Sequence, residues 1–357
     1  MQHTFKYMEK LTNLLKQLDA GDGLKIGFIG GSITQGCNPS VPENAYVERV
    51  TSWFKEKFPD VEVERINAGV GATGSLIGVH RVGRDIIKNQ PDIVFVEFAA
   101  NDVSPKKNTN LSYESLIRKL LLELPTTSAV VEIFMTLQDG ESAEEEEAAI
   151  AEYYKLPSIS YRKEIFRQIE EGTYTWEDIE TDEVHPNDRG HGIVASLIQE
   201  LVEEALRCAL SKDYNYIVPE KPLFSDIYVG GQLLELKEVT ILNEAGFVPS
   251  IENFRTINTG YNAKLDAEKV YLKCEVEGKN IFLLYVKGID ETRAKARITI
   301  NGKEELHLDT TFPGGWGNYP ETYQLVAGEN KEKYIIELSV PEEELGNKLT
   351  LLGFLVS

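Results

Sequence analysis

Two hydrophobic rhythms divide the chain. Up to Leu210, short apolar runs alternate with segments whose apolar positions recur every three or four residues. Leu24–Ile29 is a mostly apolar run closed by Gly30-Gly31 and predicts a buried parallel strand. Val47, Val50, Trp53 and Phe54 fall at helical spacing across Ala45–Phe58. Val61–Ile66 predicts a second strand, and Ser75–Lys88 a helix carrying Leu76, Ile77, Val79 and Ile86-Ile87. Asp92–Phe98 (DIVFVEF), β-branched and aromatic, is the strongest strand signal. A helix over Tyr113–Leu122 and a further buried strand over Ala129–Met135 follow. Ser142–Tyr154, Tyr161–Glu170 and Gly190–Leu210 complete the helices, the first expected to turn Glu144–Glu147 to solvent. Such alternation gives a parallel sheet with helices on both faces.

Beyond Ser211 the rhythm changes. Asp213–Phe224 holds Pro219 and Pro222 and few periodic apolar residues, as expected of a linker. From Asp226 onward short alternating runs recur: IYVGGQLL, KVYLKCEVE, NIFLLYVKG, ARITING, YIIELSV and LTLLGFLV. Gly230-Gly231, Glu277-Gly278-Lys279 and Asn301-Gly302 supply turn signals, which predicts an antiparallel sandwich or jelly roll. The expected organisation is therefore an α/β domain over residues 1–212, a linker over 213–224 and a β-sandwich over 225–357.

Composition narrows the function. The chain has 357 residues, enough for two domains. It carries 58 acidic against 37 basic side chains, a net charge of −21 that opposes nucleic-acid backbones and anionic membrane surfaces. Three scattered Cys make no disulfide framework and suit a reducing compartment. Met1–Leu18 has helical spacing interrupted by Lys6, Lys10 and Lys16, which predicts an amphipathic helix and not a signal peptide. With an initiating Met and no apolar run of membrane-spanning length, a cytoplasmic protein with no nucleic-acid or membrane partner is expected.

Four loops of the first region hold residues able to do chemistry, three of them at the C-terminal end of a predicted strand, where open α/β sheets bind ligands. In Gly30-Gly31-Ser32-Ile33-Thr34 a serine sits on a tight turn, either presenting its hydroxyl or capping the next helix. Asn67–Gly74 holds Gly69, Gly71 and Gly74 in G-x-G-x-x-G spacing before a helix, with Glu97 downstream. That spacing fits a dinucleotide, a tight turn, or a backbone N–H aimed at an oxyanion, although the dinucleotide fingerprint normally follows the first strand. Ala99-Ala100-Asn101-Asp102 offers a side-chain amide, or an Asx turn. In Thr181–Asp188 an acid precedes a His by three residues, so Asp182 can orient the imidazole of His185, or Asp188 can cap the following helix. Of the five His, His3 is terminal, His80 lies mid-helix, His191 starts the last helix and His307 lies in a second-domain strand. His185 is the best-placed base.

Taken in order, these blocks resemble the SGNH hydrolases, the GDSL-type esterase/lipase superfamily, from about Lys25 to Leu201. The resemblance implies a flavodoxin-like three-layer α/β/α sandwich, with Ser32 as nucleophile, His185 as base and Asp182 as its orienting acid. It also implies an oxyanion hole from the N–H groups of Ser32 and Gly71 and the Asn101 amide, with no cofactor and no metal. The family's usual Asp before the nucleophile is Gly31 here, and the Gly opening the third block is Ala99, which bears on subfamily and substrate.

The expected activity is ester hydrolysis through an acyl-enzyme. The favoured substrate is an acetylated carbohydrate, a small molecule or oligosaccharide, because no amphipathic lid or apolar entrance of a lipase is evident. Phe312–Pro320, rich in Gly and Pro, presents Trp316 and Tyr319 either for stacking on sugar rings or for packing under the sandwich. The alternatives are a lipase or thioesterase of the same superfamily, a dinucleotide-binding oxidoreductase, and a non-catalytic carbohydrate-binding protein. The acyl group, the sugar and the oligomeric state are left open.

Overall fold

The structure is a computed structural model that describes residues 5–103, 109–211, 214–250, 252–290 and 292–357. The chain separates into two compact units, Met1–Val229 and Gly230–Ser357.

The first unit runs α1 (Glu9–Lys16), β1 (Gly23–Gly30), α2 (Ser32–Gln35), α3 (Tyr46–Lys57), β2 (Glu62–Gly69), α4 (Ser75–Asp85) and β3 (Ile93–Glu97). It continues through α5 (Thr109–Glu123), β4 (Ala129–Phe134), α6 (Glu144–Tyr154), β5 (Ser158–Ser160), α7 (Tyr161–Glu170), α8 (Trp176–Ile179) and α9 (Asp188–Arg207). The five strands are parallel in the order β2-β1-β3-β4-β5, the flavodoxin-like arrangement. Because strand side chains alternate, β1 sends Ile26 and Phe28 to one face and Ile29 to the other. The first face buries them against Leu11, Val50, Phe54 and Leu201 of α1, α3 and α9. The opposite face packs Ile29, Val94 and Val96 on Val82, Leu116, Leu120 and Ile150 of α4, α5 and α6. β5, only three residues with one apolar side chain, is too short to carry a periodic signal. Among the described residues no helix is long and apolar enough to cross a membrane.

Two expectations change. Glu144 and Glu147, three apart and so on one face of α6, turn inward, while Glu145 and Glu146 are exposed. Glu144 accepts from Ser160 Oγ at 3.0 Å and pairs with Lys163 Nζ at 2.8 Å. The Pro-containing stretch read as a linker lies along α5 and α6 within the first unit. Glu114 accepts the N–H groups of Leu223, Phe224 and Ser225, Arg118 donates to the carbonyls of Pro219 and Glu220, and Tyr216 Oη donates to the Tyr154 carbonyl. The boundary between the units falls at Val229/Gly230.

The second unit is antiparallel: β6 (Gln232–Leu234), β7 (Thr240–Ala245), β8 (Phe247–Pro249), β9 (Tyr261–Ala263), β10 (Tyr271–Lys287), β11 (Lys295–Ile300), β12 (Glu304–Asp309), β13 (Tyr319–Ser339) and β14 (Thr350–Val356). Its strands form one sheet, curled on itself around a core that includes Leu272, Cys274, Ile281, Leu283, Ile298, Ile336 and Leu351. The runs KVYLKCEVE and NIFLLYVKG are one 17-residue strand, and the turn expected at Glu277-Gly278-Lys279 is a register shift against β13 between Gly278 and Asn280. On its other edge β10 pairs with β7 through Tyr271–Glu275 and with β14 through Ile281–Tyr285, so this one strand holds both within the curled sheet of the jelly-roll-like unit.

Candidate active site

The chain leaves β1 for β2 on one side and later crosses to β3 on the other. The carboxyl ends of β2, β1 and β3 therefore lie side by side at a topological switch point. Gly30 is in register with Gly69 and with Glu97, so the loops carrying Ser32, Gly71 and Asn101 leave the sheet together. Arg81 of α4, fully buried, donates to the carbonyls of Gly30 and Ala68 and fastens the ends of β1 and β2. Nothing in the local sequence marks Arg81 for this, because its partners are backbone atoms of distant strands.

Ser32 is the first residue of α2 and is 8% exposed. Below it, Thr34 Oγ1 donates to Glu97 Oε2 at 2.9 Å and lies 2.8 Å from Tyr46 Oη. Burial, only partly offset by hydrogen bonds from Thr34 and the Gly31 and Thr34 N–H groups, pushes the Glu97 carboxyl up to about 8. Glu97 thus supports the Ser32 turn.

His185 Nε2 lies 2.9 Å from Ser32 Oγ, and its Nδ1 lies 2.8 Å from Asp182 Oδ2. Asp182 Oδ1 accepts the N–H groups of Val184 and His185, each at 2.8 Å. Partial burial works against its ionisation, but hydrogen bonds from the His185 ring and these two N–H groups outweigh it and hold the carboxyl below its ordinary value. The loop is closed by Thr181 N–H on the His185 carbonyl and by Trp176 Nε1 on the Asp182 carbonyl, both 2.8 Å. Asn38, at φ 69°, adds a side-chain donor to Thr181 Oγ1 at 2.7 Å and to Asp182 Oδ2 at 3.2 Å. It links the serine loop to the acid.

Asn187, not Asp188, caps α9, its side chain accepting from the N–H groups of Arg189 and Gly190. Asp188 instead accepts from the Ser40 N–H and hydroxyl. His191 Nδ1 faces the Tyr46 N–H and its Nε2 the Cys37 carbonyl, so it ties α3 to the serine loop. His80 is a packing histidine whose Nδ1 bonds the Leu76 carbonyl, and burial lowers its ring to about 4. His307 is exposed on β12, and His3 lies outside the described residues.

Asn101 closes against the serine turn. A side chain at Gly31 would begin 2.1 Å from Asn101 Oδ1, so this chain's glycine before the serine makes room for Asn101. The G-x-G-x-x-G loop is accounted for in the same way. A Cβ on Gly69 would come within 2.2 Å of the Gln35 nitrogen, so the loop packs against α2 rather than opening toward a pyrophosphate. Among the described residues no group of three or more His, Cys, Asp or Glu is arranged to hold a metal ion. Trp316 and Tyr319 belong to the second unit. With Phe312 they form an aromatic cluster of ring separations 5.2–6.2 Å, and Trp316 is 67% exposed.

A hydroxyl, an imidazole and a carboxylate in hydrogen-bonded series at the carboxyl edge of a parallel sheet can activate the hydroxyl as a nucleophile, which is the equipment of a serine hydrolase. Residues 28–193 match the GDSL-like lipase/acylhydrolase family. The chain carries a domain of that family and is a hydrolase of its type. A search of curated proteins gives no match. Among solved structures, a two-domain esterase (CEX) active on acetylated mannans aligns with 28% identity, covering 99% of each chain, at a TM-score of 0.89. A structure of such an esterase co-crystallised with mannopentaose aligns with 29% identity over 99% of this chain and 98% of that one, at a TM-score of 0.86.

Proposed function

We propose that this protein is an acetyl esterase that removes acetyl groups from an acetylated carbohydrate, with Ser32, His185 and Asp182 as its catalytic residues. The observation that carries the reading is the 2.9 Å approach of Ser32 Oγ to His185 Nε2, with Asp182 on the far side of the ring. Full-length similarity to an esterase active on acetylated mannans supports the substrate class.

Ser32 Oγ attacks the ester carbonyl as His185 Nε2 takes its proton. Asp182 holds the ring with Nδ1–H toward itself and stabilises the imidazolium. The N–H groups of Ser32 and Gly71 and the Asn101 amide meet the charge on the tetrahedral oxygen. His185 then protonates the departing sugar oxygen, leaving acetyl-Ser32. Water, deprotonated by the same ring, releases acetate. None of these steps calls on a metal or an organic cofactor. The exposed Trp316 face, with Tyr319 beside it, supports a sugar-stacking role for the second unit. Cys37, Cys208 and Cys274 form no disulfide among the described residues, which suits a reducing compartment such as the cytoplasm.

The test is labelling with a fluorophosphonate, mass mapping of the adduct, and acetate release from acetylated mannan and xylan oligosaccharides. An adduct on Ser32 that vanishes in His185→Ala, with acetate released from at least one oligosaccharide, is expected. No adduct and no acetate would overturn the reading.

A further inference from the structure

The side chain of Gln35 occupies one of the donors that the reaction needs. Gln35 ends α2, three residues after Ser32, and its Oε1 accepts the Gly71 N–H at 2.7 Å. A Cβ built on Gly71 would lie 3.3 Å from that same oxygen and 3.8 Å from Ser32 Cβ, so Gln35 and Ser32 face Gly71 together. The Gln35 amide oxygen is thus a neutral carbonyl oxygen seated on a backbone donor beside the serine, as an ester carbonyl would have to be. We propose that Gln35 is a built-in plug of the oxyanion site, a gating residue that the substrate carbonyl must displace before the Gly71 N–H can meet the developing charge. This rests on the assignment of Ser32 and Gly71 made above.

The chemistry favours a displaceable plug over a permanent partner. An amide oxygen is a neutral acceptor, whereas the tetrahedral intermediate presents an anion, and charge-assisted hydrogen bonds are roughly twice as strong. The exchange is therefore slightly uphill for the ground-state ester, whose carbonyl is a weaker acceptor than the amide oxygen it displaces, and downhill for the transition state. Such a device weakens substrate binding while leaving the oxyanion interaction available, and so favours the charged species that catalysis must stabilise. Release needs only a rotamer change of Gln35, the half-buried last residue of a short helix whose other residues are buried, a fast motion compared with turnover. While the plug is seated the binding-competent fraction is reduced, and affinity falls in proportion. For a neutral hydrogen bond that penalty is about three- to tenfold.

The experiment uses the full chain with Gln35→Met, which keeps the side-chain volume and removes the oxygen, and Gln35→Glu, which keeps an acceptor and makes it anionic. Gln35→Ala is the second acceptor-free variant in case Met packs badly, and melting temperatures check folding. Each protein is labelled with a fluorophosphonate, titrated with methylboronic acid, and assayed on p-nitrophenyl acetate. In Gln35→Met, boronate affinity should rise about three- to tenfold and KM should fall by a similar factor, with kcat changing less. In Gln35→Glu both should move the opposite way. Folded Met and Ala variants that bind the boronate no better than wild type, or worse, would overturn the plug and make Gln35 a tether for the Gly71 peptide. Failure of the wild-type protein to label at Ser32 would instead bring down the underlying assignment.

Discussion

Thr34 Oγ1 donates to Glu97 Oε2 at 2.9 Å, directly beneath the turn that presents Ser32. Glu97 is fully buried, and that burial pushes its carboxyl up to about 8 against an ordinary value of 4.5. The folded protein therefore keeps a proton that the unfolded chain releases above 4.5. A group raised in this way contributes stability that is fully present below about 4.5 and is lost as the pH rises through about 8. Burial likewise pushes Glu132 and Glu180 up to about 8, so the three losses add over one window. Melting temperature should fall from pH 5 to pH 9, and Glu97→Gln should flatten that fall, matching wild type in acid and exceeding it in alkali. Parallel curves for the two proteins would mean that Glu97 is already ionised in the folded state.

Asn101 closes on the serine turn from the β3 side. If its amide meets the oxyanion, Asn101→Ala should lower kcat by about 10²–10³ and leave KM nearly unchanged, since the interaction strengthens only as charge develops. Steady-state kinetics on p-nitrophenyl acetate decide it. A change confined to KM would assign Asn101 to ground-state binding.

Asn38 reaches Asp182 Oδ2 from the serine loop at 3.2 Å while its own backbone sits at φ 69°. Asn38→Gly keeps that left-handed conformation accessible and removes only the donor. A fall in kcat of about two- to tenfold is expected, because, of its two hydrogen bonds (to Thr181 and to Asp182), the one to the acid bears on the reaction. An unchanged kcat would show that the two backbone N–H groups on Oδ1 suffice to orient the acid.

Glu114 gathers three consecutive N–H groups of the segment after α9, those of Leu223, Phe224 and Ser225. Removing the acceptor in Glu114→Ala should destabilise the first unit by about 1–3 kcal/mol and expose the 214–229 stretch to proteolysis. Denaturant midpoints and mass mapping of the first cleavage test this. Cleavage elsewhere, with an unshifted midpoint, would mean that Arg118 and Tyr216 alone hold the stretch.

Trp316 offers a ring face to solvent. If the second unit stacks on saccharides, Trp316→Ala should raise KM for acetylated oligosaccharides about three- to tenfold. An equal change with p-nitrophenyl acetate, which has no sugar, would reduce Trp316 to a structural role.

Much of the fold is local and was legible in the sequence. DIVFVEF reads as a buried strand because it is apolar on both faces, and the helices after β1, β2 and β3 announce themselves by their spacing. The ordered loops around Ser32, Gly71, Asn101 and Asp182/His185 were visible for the same reason, since each pattern fits within a few residues. What needed the tertiary structure was every relation between distant segments. Ser32 and His185 stand 153 residues apart, and only the packing of α9 beside β1 brings them within hydrogen-bond distance. Gln35, Asn38 and Arg81 carry no local signal, and Glu97 signalled only an acid downstream of the glycine-rich loop, because their partners are atoms of other loops. Glu144 and Glu147 looked solvated because a run of acids is normally a surface, yet the seating of α6 buried two of the four. Glu277-Gly278-Lys279 looked like a turn because local propensity favours one, but pairing on both sides held the segment in a single long, bulged strand. Periodicity and turn chemistry act over a few residues and are written in the chain. Burial, gating and the approach of one loop to another depend on how whole layers pack, and the net charge of −21 constrains none of them.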